Sequence, residues 1–222
     1  MRKCKIFAAV VLAVSLMSSA VSSYAASGFY FNGGYKIVNN NGAAVTIETQ
    51  NPTITSYVSA WAMTCDSSVS DRYAQVGWWK ETPTTSPKYF YEYSYGDLWY
   101  QKSLGTATVG SHNDYMVGCD STTMYFKING TSYGTVALSK IPFSRNTIEL
   151  MGETHNTNDQ CMGSNSNPVT MGSAQYKSTG NVWTTTKCVN SGSSLGYGSL
   201  STMRNNIASG GSTNWEIWDS RY

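Results

Sequence analysis

At 222 residues, with 13% charged side chains and a formal net charge of +2, the chain has no basic excess of the kind that binds nucleic acid. It holds five cysteines but only two histidines, His112 and His155, and no C-x-x-C spacing, so zinc binding is the poorer use of its thiols. No H-E-x-x-H, phosphate-binding loop or dinucleotide glycine pattern occurs, and neither a metal nor a cofactor is expected.

Taken in order, residues 1–25 read as an export signal: Arg2, Lys3 and Lys5, then the apolar run 6–16, then small residues ending at Ala25. The apolar run is too short to span a bilayer, so a secreted, extracellular protein without stable membrane insertion is expected. Loss of the three signal cations takes Lys and Arg from 15 to 12 against 13 Asp and Glu, and the net charge from +2 to −1. Cys4 leaves with the signal. Four cysteines remain, Cys65, Cys119, Cys161 and Cys188, and an even count in an exported chain points to two disulfides in one of three pairings.

From residue 26 to 222 the chain is rich in Gly, Ser, Thr, Asn and aromatic residues, without repeat, charge run or composition break. Turn residues recur every ten positions or so, which is the pattern of an all-β domain. Strands are expected at 29–38, 43–48, 57–64, 73–81, 89–95, 124–128, 135–138, 147–153, 169–176 and 215–218. Asn129-Gly130 marks a hairpin, and a single short helix is expected at 200–208 before Gly210-Gly211. Segments 156–167 and 190–199 read as surface loops. The strand count suits one antiparallel β-sandwich, monomeric, in which each strand gives one face to the core and the other to solvent or a groove.

Three stretches carry candidate chemistry. Along 73–79, Ala74, Val76 and Trp78 alternate with Tyr73, Gln75, Gly77 and Trp79, so a neutral amide shares its face with a glycine and two aromatics. That composition fits a site for an extended polymer, with Gly77 permitting close approach. In 88–95, Tyr89, Tyr91, Tyr93 and Tyr95 share a face, either as a binding platform or as ordinary cross-strand packing, with Glu92 among them in sequence. In 146–156, Glu149 and Glu153 share a strand face, an arrangement suited to general acid–base chemistry. Gly130-Thr131-Ser132-Tyr133-Gly134 matches G-x-S-x-G, but it falls in an expected hairpin and not at the strand–turn–helix elbow that a nucleophilic serine needs.

Together these blocks resemble a known group. Ser59-Ala60-Trp61, Tyr73-Ala74-Gln75-Val76-Gly77-Trp78, Tyr91-Glu92-Tyr93 and Ile148-Glu149-Leu150-Met151-Gly152-Glu153 are similar, in order and approximate spacing, to the glutamic peptidases of the eqolisin type. The runs 151–156, 169–173 and 215–219 look more like the related neprosin group, which has glutamate where this chain has Gln75. The resemblance covers most of residues 56–219. It implies a concanavalin-like (lectin-like) antiparallel β-sandwich and a secreted hydrolase cleaving polypeptide at acidic pH with a glutamine–glutamate pair. The pair would be Gln75 and Glu153, with Glu149 as second choice for the glutamate. Trp61 and Glu92, by resemblance, and Trp79, by strand alternation, would line the substrate groove.

Two other readings compete. A non-catalytic, lectin-like module would bind carbohydrate on the tyrosine ladder. A β-glucan hydrolase would use Glu149 and Glu153 as its carboxylate pair, although Met151 stands where such enzymes carry a third carboxylate.

Overall fold

The computed structural model describes residues 27–191, 198 and 200–222; the expected export signal and most of the 190–199 loop lie outside them. Among the described residues sixteen strands follow in chain order. These are β1 (Ser27–Ile37), β2 (Asn40–Glu48), β3 (Tyr57–Cys65), β4 (Arg72–Glu81), β5 (Lys88–Tyr95), β6 (Leu98–Thr106), β7 (His112–Cys119) and β8 (Thr123–Ile128). There follow β9 (Thr131–Ala137), β10 (Thr147–Asn156), β11 (Gly163–Ser164), β12 (Val169–Ser178), β13 (Trp183–Thr185), β14 (Val189–Asn190), β15 (Met203–Asn205) and β16 (Trp215–Asp219). One sheet runs β14-β1-β10-β3-β4-β5-β6 and the other β11-β16-β12-β2-β7-β8-β9, with β13 and β15 attached to β12 and β16. This is the concanavalin-like β-sandwich expected from the sequence.

Period-two alternation decides what each sheet buries. Val58, Ala60 and Ala62 of β3, Ala74, Val76 and Trp78 of β4, and Ile148 and Leu150 of β10 point between the sheets. They meet Val45 and Ile47 of β2, Tyr115 and Val117 of β7, and Phe126 of β8 in one apolar core. The opposite face of the seven-stranded sheet carries a second, smaller cluster built on Trp61, Met63, Cys65, Trp79, Phe90 and Met151.

The tyrosine ladder of β5 is packing. Tyr91 stacks on Phe126 of the other sheet with ring centroids 4.5 Å apart, and Tyr93 stacks on Tyr100 of β6 at 5.1 Å. A Cβ on Gly134 would come within 2.4 Å of the Tyr91 ring, so that glycine makes room for it. Asn129 and Gly130, with φ of 49° and 79°, form the β8–β9 hairpin turn. Ser132 therefore sits exposed on a hairpin strand, not at an elbow.

Three expectations are corrected. The segment 200–208 is not a helix: it contains β15, and the side chains of Asn205 and Asn206 accept hydrogen bonds from the backbone N–H groups of Ile207 and Glu216. Such side-chain bonding offers the backbone an alternative to the helical ladder. Strands β6 and β7 were not expected; β6 is a largely exposed edge strand without apolar alternation, and β7 opens on the turn-forming pair Asn113-Asp114. Finally, Cys65, Cys119, Cys161 and Cys188 form no disulfide: all four are buried free thiols. Cys65 belongs to the smaller cluster beyond the sheet, and the other three to the core between the sheets.

Candidate functional site

Strand register sorts the outer face of the seven-stranded sheet into rows. The first reads Phe31, Glu153, Ser59, Trp79 and Lys88 across β1, β10, β3, β4 and β5. The second reads Gly33, Met151, Trp61, Gly77 and Phe90. The third reads Tyr35, Glu149, Met63, Gln75 and Glu92, and continues to Gln101 on β6. Over these rows lies a groove of about 1080 Å³ whose lining includes Gln75, Glu92, Glu149, Glu153, Trp61 and His155. Gln75, Glu153, Glu149, Trp61 and Glu92, all singled out from sequence, thus open onto one cavity.

Three side chains hold Glu153. Ser59 Oγ and Trp61 Nε1 donate to its Oε2 at 3.0 and 3.1 Å, and His155 Nε2 lies 2.8 Å from its Oε1. The His155 ring is stacked on Tyr57, centroids 4.2 Å apart, and meets the Phe29 ring edge-on at 4.5 Å. Burial raises the Tyr57 hydroxyl well above its ordinary range, with the Glu153 charge adding to the effect, so Tyr57 stays a neutral wall of the groove.

Gln75 is the contrast. It is only 6% exposed, yet among the described residues its side-chain amide makes no hydrogen bond. The amide lines the groove, where a ligand or water can satisfy it. Gln75 and Glu153 lie two strands and two rows apart, and the second row between them is bare at Gly77. A Cβ there would fall 2.0 Å from the Ala60 carbonyl oxygen, so only glycine fits at that point, next to Trp61 on β3 in the same row.

Glu92, beside Gln75, accepts hydrogen bonds from the Tyr73 hydroxyl, from Trp99 Nε1 at 3.0 Å and from Gln101 Nε2 at 2.9 Å. Burial pushes its carboxyl above the usual range, and these donors partly offset that. Glu149 is fully buried, with Cys65 Sγ 3.3 Å from its Oε1. Trp79 shares the face as expected but does not line the cavity: Tyr57 stacks over it at 6.0 Å and Lys88 Nζ sits 5.7 Å from its ring.

The site also contains residues to which the sequence assigned no role there. His155 was legible in principle, since 149, 151, 153 and 155 share parity on β10. Phe29, Phe31, Tyr57, Trp99 and Gln101 arrive from other strands through pairing that no local pattern encodes.

No family model and no curated protein matches the sequence. Among solved structures the chain is similar to SCP-B, a member of the eqolisin family of peptidases, in a complex with the tripeptide Ala-Ile-His. The TM-score is 0.59 over 87% of this chain and 98% of that one, at 10% identity. It is also similar to scytalido-glutamic peptidase with a peptide-based transition-state analogue, with a TM-score of 0.54, the same coverages and 12% identity. A Bacillus licheniformis β-glucanase aligns over 59% of this chain and 66% of that one with a TM-score of 0.41 and 10% identity. The first two likenesses establish the fold.

Proposed function

We propose that the chain is an exported glutamic peptidase of the eqolisin type that hydrolyses peptide bonds with Glu153 as general base and Gln75 as oxyanion donor. The observation that carries this reading is the pairing, in one groove, of a carboxylate held by three side chains with a groove-lining amide that has no hydrogen-bond partner among the described residues. The bound peptide ligands of the two similar structures agree with a polypeptide substrate.

The chemistry balances without a metal or a covalent intermediate. Ionised Glu153 takes a proton from a water molecule as the water oxygen attacks the peptide carbonyl carbon. The carbonyl oxygen becomes an oxyanion, and the Gln75 amide N–H donates to it. The proton on Glu153 then passes to the leaving nitrogen, the C–N bond breaks, and the carboxylate is restored. A donor preorganised toward a developing oxyanion contributes roughly a factor of 10² to 10³ in kcat.

Two observations weigh against the competing readings. The ladder offered to carbohydrate is spent on packing between the sheets. Glu149 lines the same groove as Glu153, but Met151 stands between them on that face of β10, where such an enzyme carries a third carboxylate. The test is cleavage of a denatured protein by the chain lacking residues 1–25, between about pH 3 and 6, where a carboxylate can serve as base. Glu153→Gln and Gln75→Ala should each abolish cleavage. Full activity in both variants would sink the assignment, and release of reducing sugar from a β-glucan without peptide cleavage would favour the glycosidase.

A further inference from the structure

An ionised carboxylate offers four lone-pair positions, and among the described residues three of those on Glu153 are taken. Ser59 Oγ and Trp61 Nε1 both bond to Oε2, which they saturate, while Oε1 is bonded only by His155 Nε2 at 2.8 Å. The one position left for a proton is therefore on Oε1, the oxygen that His155 holds. Since an ionised carboxylate can only accept, Nε2 must carry the hydrogen of that contact.

We propose that His155 is a positioning residue for Glu153: it aims Oε1 at the attacking water and keeps the captured proton on that atom until the leaving amine takes it. This rests on the peptidase reading above. The ring has little freedom to do otherwise, clamped between the face of Tyr57 and the edge of Phe29 at 4.2 and 4.5 Å. Glu153 and His155 are two residues apart on one face of β10, so the backbone sets their spacing. When the water proton arrives on Oε1, the Nε2–H bond to the other lone pair of the same atom persists. The carboxyl group need not rotate between the two transfers. Because Nε2 already bears a hydrogen, it cannot draw the new proton away, and the leaving nitrogen is its outlet.

Two substitutions separate donor from ring. His155→Phe keeps an aromatic between Tyr57 and Phe29 but removes the N–H, whereas His155→Gln loses the ring and places an amide N–H near the position of Nε2. Steady-state kinetics on a peptide substrate should show kcat of His155→Phe lowered about tenfold or more, the effect of losing one charge-assisted hydrogen bond, with KM little changed. His155→Gln should recover most of that loss. Wild-type kcat in His155→Phe, equal losses in both variants, or a change confined to KM would overturn the proposal while leaving Glu153 and Gln75 in place. Undiminished cleavage by Glu153→Gln, run in parallel, or no cleavage by the wild type, would overturn the peptidase reading and this inference with it.

Discussion

Asp159 fastens the segment that leads into Tyr57 through both of its carboxylate oxygens. Oδ1 accepts from Thr55 N at 2.5 Å and Thr55 Oγ1 at 2.8 Å, and Oδ2 from Ser56 N and Tyr57 N at 3.0 Å each. Asp159 is wholly buried, so these four donors are what make its charge tolerable in the fold. Tyr57 in turn covers Trp79 and supports His155, which ties the wall of the groove to one carboxylate on the loop after β10.

Asp159→Ala should therefore destabilise the protein and loosen the groove together. It removes the charged acceptor of four part-buried hydrogen bonds, each of a kind worth about 1.5 to 3 kcal/mol, so a total loss of about 3 kcal/mol or more is expected. For a chain of this size, roughly 2 to 4 °C of Tm accompanies each kcal/mol. Differential scanning calorimetry should show a fall of about 6 °C or more. An unchanged Tm would mean that the loop is held by other contacts.

Glu92 gives a pH dependence of known sign. Burial holds its folded-state carboxyl above the ordinary carboxylate value, even with Tyr73, Trp99 and Gln101 donating to it. The folded state therefore binds this proton more tightly than the unfolded chain does. Its stabilising contribution is complete below the unfolded value of about 4.3 and is lost as pH rises through the raised folded value. Urea midpoints measured from pH 4 upward should carry this decline in the wild type, and Glu92→Gln should remove that part of it. Identical pH profiles for the two proteins would show that Glu92 titrates alike in both states.

How far such a site can be read from sequence follows from the geometry of strands. Alternation put Gln75, Gly77 and Trp79 on one face and Glu149 and Glu153 on another strand's single face, because side-chain direction along a strand is local. Alternation does not say what later covers that face, and so Trp79 was expected in the groove when Tyr57, entering from the edge of the neighbouring strand, lies on it. Register is nonlocal too. That Glu153 falls beside Ser59, and Gln75 beside Glu92 and Met63, depends on hairpin and long-range pairing among four strands. The edge strand β6 escaped notice because exposure on both faces erases the alternation, yet it supplies Trp99 and Gln101 to Glu92.

The cysteines show the same limit most sharply, and their state can be measured. An even count behind an expected export signal argues for two disulfides, but pairing needs proximity, and the structure buries each thiol in its own surroundings. Burial raises all four above the ordinary thiol value; Glu149 adds to this at Cys65 and Asp219 at Cys161, and Cys188 is pushed up to about 12. The thiolate is the reactive species, so the folded protein should resist iodoacetamide at pH 8. The same chain lacking residues 1–25, unfolded in guanidinium without reductant, should take up four alkyl groups, on Cys65, Cys119, Cys161 and Cys188. An intact mass showing no uptake after unfolding would establish two disulfides and overturn the free-thiol arrangement. Rapid labelling of the folded protein would instead show that at least one of these sites opens to solvent.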